Sequence, residues 1–177
     1  MTMKRVMLAL LLGTLGSTSL FAQFGPTGTT SVQVTVVAEA GIQIDTATTT
    51  LTTGGLFSDY TGTTNYTYKI RTSTGGGAGT ITLNLAGDFS PATGPSVASG
   101  DLTYNCSLTA PVTGTGIACS GPITAATTNT NVATFGVNTH SLGAGTGSNA
   151  VDWILTNDPA YETGAYSATA TFTISAT

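Results

Sequence analysis

The chain has 177 residues, only 7% of them are charged, and its formal net charge is −4. Two of its four basic residues other than histidine, Lys4 and Arg5, lie at the extreme N-terminus. Nucleic-acid affinity depends on clustered lysine and arginine against the phosphates, so this composition excludes a nucleic-acid-binding protein. Binding to an anionic membrane surface is disfavoured for the same reason.

The first 22 residues have the pattern of a secretion signal. Lys4 and Arg5 form its positive region, residues 6–12 are an unbroken apolar stretch, and Ala22 is a small residue suited to cleavage. The apolar stretch is far shorter than the ~20 residues that span a bilayer. We therefore expect an exported protein, secreted or at the cell surface. Its mature chain begins at Gln23 and has no membrane span.

Removing 22 residues from 177 leaves 155, which suits one domain. This part keeps two cations, Lys69 and Arg71, against eight acids, for a net charge of −6. Threonine fills 36 of the 155 positions, and its β-branched side chain fits a pleated surface with a wet outer face. Such an uncharged polar exterior tolerates close packing between copies of one subunit.

The predicted elements begin after a flexible leader, 23–30, that contains glycine and proline. Residues 31–38 alternate with period two and place Val32, Val34 and Val36 on one face, which predicts a strand. Residues 39–41 interrupt the alternation before Ile42 and Ile44 resume it, and a weak threonine-rich stretch follows. The pattern predicts a first strand that can separate from the next one.

Further strands are predicted at 65–72, 80–85, 102–108, 132–137, 151–155 and 166–175. The last alternates most regularly, and its inward positions are Tyr166, Ala168, Ala170, Phe172 and Ile174. No segment after residue 23 has the 3.6-residue apolar period of a helix. About seven to eight short strands predict an all-β fold, an antiparallel immunoglobulin-like β-sandwich formed by a single domain, 31–177.

Cys106 and Cys119 are the only cysteines. An even count in an exported chain favours a disulfide, and the intervening Pro111, Gly114 and Gly116 allow the chain to turn back. A redox pair or a metal site would require a C-x-x-C spacing or a nearby histidine. We therefore expect a structural disulfide between the two residues.

Few residues here can carry out chemistry. His140 is the only histidine, and catalysis would require a nucleophile and an orienting acid around it. We predict no enzyme activity, no catalytic residue, no transition-metal site and no cofactor. Calcium binding stays open, because Asp88 and Asp101 flank one insert, although no D-x-D-x-D spacing occurs. Sugar stacking on the loop residues Tyr60 and Tyr161 is a further alternative.

The two ends of the chain carry a family resemblance. The segment 31–44 reads SVQVTVVAEAGIQI and resembles the start of class 5, colonisation-factor-type pilins. The segment 164–174 reads GAYSATATFTI and resembles the C-terminal strand of pilins and spore-coat-protein-U-like domains. The middle of the chain shows no such resemblance.

This resemblance implies a fimbrial subunit of the cell surface. Val32, Val34 and Val36 would pair with a neighbouring subunit by strand addition. The implied partners are copies of the same chain and a periplasmic assembly chaperone. The alternative is a self-contained secreted module, adhesive or carbohydrate-binding, with the same sandwich fold.

Overall fold

The computed structural model describes residues 26–141 and 149–177. The predicted signal peptide, 1–22, and the start of the predicted leader lie outside the described residues. The chain divides into two compact units, Met1–Val34 and Thr35–Thr177, and the strands of the described residues all belong to the second unit. Within the described ranges no helix has the length and hydropathy that crossing a bilayer requires.

Ten strands form two antiparallel sheets in the described part of the chain. In chain order they are β1 (Glu39–Ile44), β2 (Thr52–Thr53), β3 (Tyr60–Arg71), β4 (Gly79–Leu85), β5 (Leu102–Ser107), β6 (Gly116–Ala118), β7 (Ile123–Thr124), β8 (Thr130–Phe135), β9 (Ala150–Leu155) and β10 (Ala170–Ala176). The larger sheet has the order β1-β3-β9-β5-β7, with β2 also pairing with β3, and the smaller has the order β10-β4-β8-β6. The prediction of an all-β antiparallel sandwich is confirmed.

Period-two alternation determines which side chains fill the core between the sheets. In β4, Ile81, Leu83 and Leu85 are buried, while the intervening Thr82 and Asn84 are partly exposed. The second half of β3 supplies the buried Tyr66 and Tyr68 from the other sheet. Burying one large apolar side chain is worth roughly 2 kcal/mol relative to leaving it exposed. A register slip of one residue would therefore expose each strand's whole apolar set.

Buried polar atoms of the core are hydrogen-bonded. Trp153 is buried, and its Nε1 donates to Thr64 Oγ1 at 2.8 Å. The Tyr104 hydroxyl lies 2.7 Å from Thr130 Oγ1 and so joins the two sheets. Among the described residues no buried side-chain nitrogen or oxygen lacks a partner. The core thus satisfies the requirement that buried polar groups be paired.

Two predicted boundaries are wrong at the N-terminal side. The residues 31–38, predicted as a strand, belong to no strand, and the predicted interruption 39–41 is the beginning of β1. The reason is long-range pairing: Glu39 lies opposite Arg71 and Gly41 opposite Lys69 on β3. The Arg71 Nη2 also contacts Glu39 Oε1 at 2.7 Å. Pairing with β3 thus makes residues 39–41 part of a strand although their side chains do not alternate.

The strand count also differs, since the described residues alone form ten strands against the predicted seven to eight. The additional strands β2, β6 and β7 have two or three residues each, too short for alternation to be visible. In addition, β3 begins at Tyr60, a residue that the sequence predicted to lie in a loop. Its pairing with Leu155 of β9 extends the strand by five residues before the predicted start at 65.

The tyrosines give the fold a predicted sensitivity to alkaline pH. Burial raises the pKa of Tyr66, Tyr68 and Tyr104 above the ordinary value of 10.0. Burial, a hydrogen bond to Asp101 and nearby carboxylates raise the pKa of Tyr161 to about 12. Below pH 10 both the folded and the unfolded chain keep these protons. Above it the unfolded chain loses protons that the folded chain retains, so the free energy of unfolding falls as pH rises through the folded pKa values.

We expect phenolate absorbance to show these four tyrosines titrating only as the fold opens, later than in a urea-denatured control. Urea midpoints measured at pH 9 and pH 11 should show the accompanying loss of stability. The prediction is wrong if all six tyrosines titrate together near pH 10 while the far-ultraviolet circular dichroism stays native.

Candidate subunit-pairing site

The predicted pairing residues lie in a segment with no strand assignment and high exposure. Val32 is 91% exposed and Val34 is 86% exposed, and Val36 is also exposed. A soluble surface carries isolated apolar side chains commonly, but three at alternate positions form a potential strand face. The segment therefore has the side chains of a buried strand while remaining uncovered.

Arg71 holds the chain where this segment ends. Its Nε donates to the Val37 carbonyl at 2.8 Å and its Nη2 donates to Glu39 Oε1 at 2.7 Å. The sequence did not predict this role for Arg71. Arg71 lies within the predicted strand 65–72, but its partners lie more than 30 residues earlier in the chain, where no local pattern points to them.

One edge of the sandwich is incompletely covered. β10 lies at the edge of its sheet, and β4 is its only strand partner among the described residues. The inward Phe172 and Ile174 of β10 are only half-buried, whereas Leu83, opposite Phe172 on β4, is fully buried. The edge strand of the other sheet, β1, contacts β10, and its inward Ile42 is also half-buried. We call the free edges of β1 and β10 the β1–β10 seam.

The opposite edge is closed covalently. Cys106 in β5 and Cys119 just after β6 form the predicted disulfide, with their Cα atoms 5.4 Å apart. Since β5 and β6 belong to different sheets, the bond joins the two layers on the side away from the seam. The sandwich is therefore joined covalently along one edge, whereas along the other β1 and β10 contact each other and no described strand is hydrogen-bonded between them.

The loop carboxylates considered as calcium ligands accept hydrogen bonds from other residues of their own loop. The Asp88 carboxylate accepts from Ser96 Oγ at 2.7 Å and from the Val97 backbone N–H, and these hydrogen bonds lower the pKa of Asp88. The Asp101 carboxylate accepts from the Ser96 backbone N–H at 2.8 Å. In residues 26–141 and 149–177 no group of three or more histidine, cysteine or acidic side chains could hold a metal ion.

The aromatic residues considered for sugar stacking do not form an exposed array. Tyr60 and Tyr161 are both only partly exposed. Among the described aromatic residues, Phe57 alone has a mostly exposed ring. His140 is half-buried and forms isolated bridges with Arg71 and Thr113. The structural role of His140 is therefore backbone hydrogen bonding next to the end of β3.

The geometry defines a two-sheet antiparallel β-sandwich with an exposed apolar segment and an edge where the side chains of β1 and β10 are only half-buried. In comparisons with known proteins, no family model, no curated protein and no solved structure matches the chain.

Proposed function

We propose that this chain is an exported structural subunit of the cell surface that assembles with copies of itself. The segment 31–38 of one copy adds a strand to the β1–β10 seam of the next. The observation that carries the proposal is the match between three exposed alternate valines and an edge strand whose alternate apolar side chains are only half-buried.

Elementary energetics support strand addition as the form of contact. A free sheet edge presents a row of backbone N–H and C=O groups that an incoming strand can satisfy. Burying three valines contributes roughly 5 kcal/mol. That is less than the backbone entropy lost when eight residues become ordered, at about 1 kcal/mol or more each. The backbone hydrogen bonds and further burial of Phe172 and Ile174 must therefore supply the rest.

Deleting Gln23–Ala38 tests the proposal without removing a strand, because β1 begins at Glu39. We expect the truncated chain to fold but to remain monomeric. It should bind a synthetic peptide of residues 31–38, and the full chain should form a ladder of oligomers by native mass spectrometry. A peptide with the same composition in scrambled order is the control and should not bind.

The contrasting function is the self-contained adhesive or carbohydrate-binding module. The direct contact of β1 with β10 favours it, since a sandwich closed by its own strands can exist alone. A full chain that stays monomeric at all concentrations, together with a truncated chain that unfolds, would replace the assembly proposal with this one.

A further inference from the structure

The longest strand gives the sandwich two distinct ends. β3 has 12 residues and so extends about 35 Å at ~3.3 Å per residue. One end is preceded by the loop 54–59, which we call the knob loop. The other end, at Arg71, borders a groove of about 1070 Å³. These ends differ in shape and in charge.

The knob loop presents two large apolar side chains to solvent. Leu56 is 95% exposed and Phe57 is 66% exposed. The loop is nonetheless held in place, because Thr53 Oγ1 lies within 2.8 Å of the carbonyl oxygens of both Gly55 and Ser58. Phe57 has a φ of 53°, a left-handed conformation that is costly for an aromatic residue. A strained, fixed loop that exposes apolar side chains is typical of a contact surface rather than of a random loop.

Three acidic side chains lie at the same end of the sandwich as the knob loop. Asp59 ends it and accepts from the Asn157 backbone N–H. Asp101 and Asp158 lie near Tyr161 at the same end, where burial and the charges of all three aspartates raise the pKa of that tyrosine. This end of the sandwich therefore combines negative charge with the exposed apolar side chains of the knob loop.

The groove at the Arg71 end has the complementary character. Its apolar lining includes Val37, Ala40 and Ile70, and its charged lining is Lys69, Arg71 and the acidic Glu39. These two are the only lysine and arginine in the described residues. Arg71 is paired with Glu39, whereas Lys69 has no ion-pair partner within the described part of the chain. The groove can thus bind apolar side chains and, at Lys69, one carboxylate that has no other ion-pair partner.

We propose that the Leu56–Phe57 knob of one copy docks in the Lys69–Arg71 groove of a second copy, with Asp59 facing Lys69. This inference rests on the proposed self-assembly and names the contact that orients it. Because the two surfaces are different patches of the same chain, the contact repeats head to tail and builds an open filament rather than a closed dimer.

The strand directions agree with this arrangement. The segment 31–38 leaves its sandwich at the groove end, where Arg71 holds Val37, and so meets the knob end of the neighbour. Ala170 of β10 lies toward that knob end, because it pairs with Leu85, and Ala176 lies toward the groove end, opposite Gly79. A segment entering from the knob end would therefore run antiparallel to β10, as all the other strand pairs do.

The first test removes the knob from the full-length chain and measures self-association by sedimentation velocity. We expect Leu56→Ser combined with Phe57→Ser to weaken association at least tenfold. Phe57→Gly, which suits the positive φ, should also weaken association without a loss of thermal stability. The matched control is Ile117→Ser, which removes a side chain of equal exposure from β6. Equal association of the knob variants and the control would overturn the proposal.

A charge exchange tests the orientation. Lys69→Asp alone and Asp59→Lys alone should each weaken association, and mixing the two variants should restore it between unlike copies. Association of the native chain should also weaken as salt rises from 0.1 M to 1 M, where the screening length falls from about 10 Å to about 3 Å. Failure of the mixture to recover would overturn the Asp59–Lys69 contact.

Comparison with Val34→Asp separates this inference from the strand proposal. If Val34→Asp abolishes assembly but the knob variants do not weaken it, strand addition stands and the knob contact is wrong. If the knob variants weaken assembly while Val34→Asp has no effect, the knob contact stands and strand addition is wrong.

Discussion

Replacing Val34 with aspartate should abolish self-association of the full chain. In the proposed assembly Val34 is the central residue of the three valines that enter the neighbour's seam. An unpaired carboxylate among apolar side chains costs several kcal/mol. Since each 1.4 kcal/mol changes an equilibrium constant tenfold, a cost of about 3 kcal/mol weakens the contact on the order of 100-fold. Sedimentation velocity over a concentration series measures this loss.

Thr35→Asp is the matched control for this variant. Thr35 is the next residue along the segment, is also exposed, and lies on the opposite face of the alternating pattern. The same charge should therefore remain in water after strand addition and leave the affinity almost unchanged. The free monomer should tolerate both substitutions, because Val34 is exposed there. If the two variants associate equally well, the face assigned to the valines is wrong.

Removing the disulfide should produce the largest change in the stability of the monomer. Cys106 and Cys119 are 13 residues apart in sequence and join the two sheets. In the chain-entropy model, closing a loop of this size stabilises the fold by about 3 kcal/mol. We expect Cys106→Ala combined with Cys119→Ala to lower the free energy of unfolding by this amount. For a chain of this length, that corresponds to a Tm lower by about 10 °C.

Urea denaturation of the variant and of the native chain measures this difference. The native chain under reducing conditions is the control and should lose a similar amount. Because the disulfide lies on the edge away from the β1–β10 seam, the variant should still bind the peptide of residues 31–38 at temperatures where it is folded. A loss below about 1 kcal/mol would mean that packing between β5 and β6 already holds this edge together.

Much of the architecture could be predicted from local pattern. The alternation in 80–85 and 102–108 predicted strands close to β4 and β5, because each strand has one face buried and one face exposed to solvent. The strand predicted at 166–175 begins four residues later, at Ala170, although the alternation of exposure already starts at Tyr166. The Cys106–Cys119 disulfide was predicted from the cysteine count and the turn residues between the two cysteines. The strands could be predicted because alternation involves residues that are neighbours in sequence. The disulfide could be predicted because each cysteine has only one possible bonding partner.

The sequence by itself determined which side chains of the strands share a face, and therefore the fold class, whereas the valine face of 31–38 stays a prediction. Only the tertiary structure decided which segments find a hydrogen-bonding partner. Residues 39–41 join β1 because Lys69 and Arg71 of β3 lie opposite them, while 31–38 alternate more regularly and belong to no strand. The half-buried side chains of β10, the projecting Phe57 and the groove beside Lys69 were likewise not predictable. Alternation is a local property of the chain, whereas the edge of a sheet and the depth of a groove depend on residues far apart in sequence.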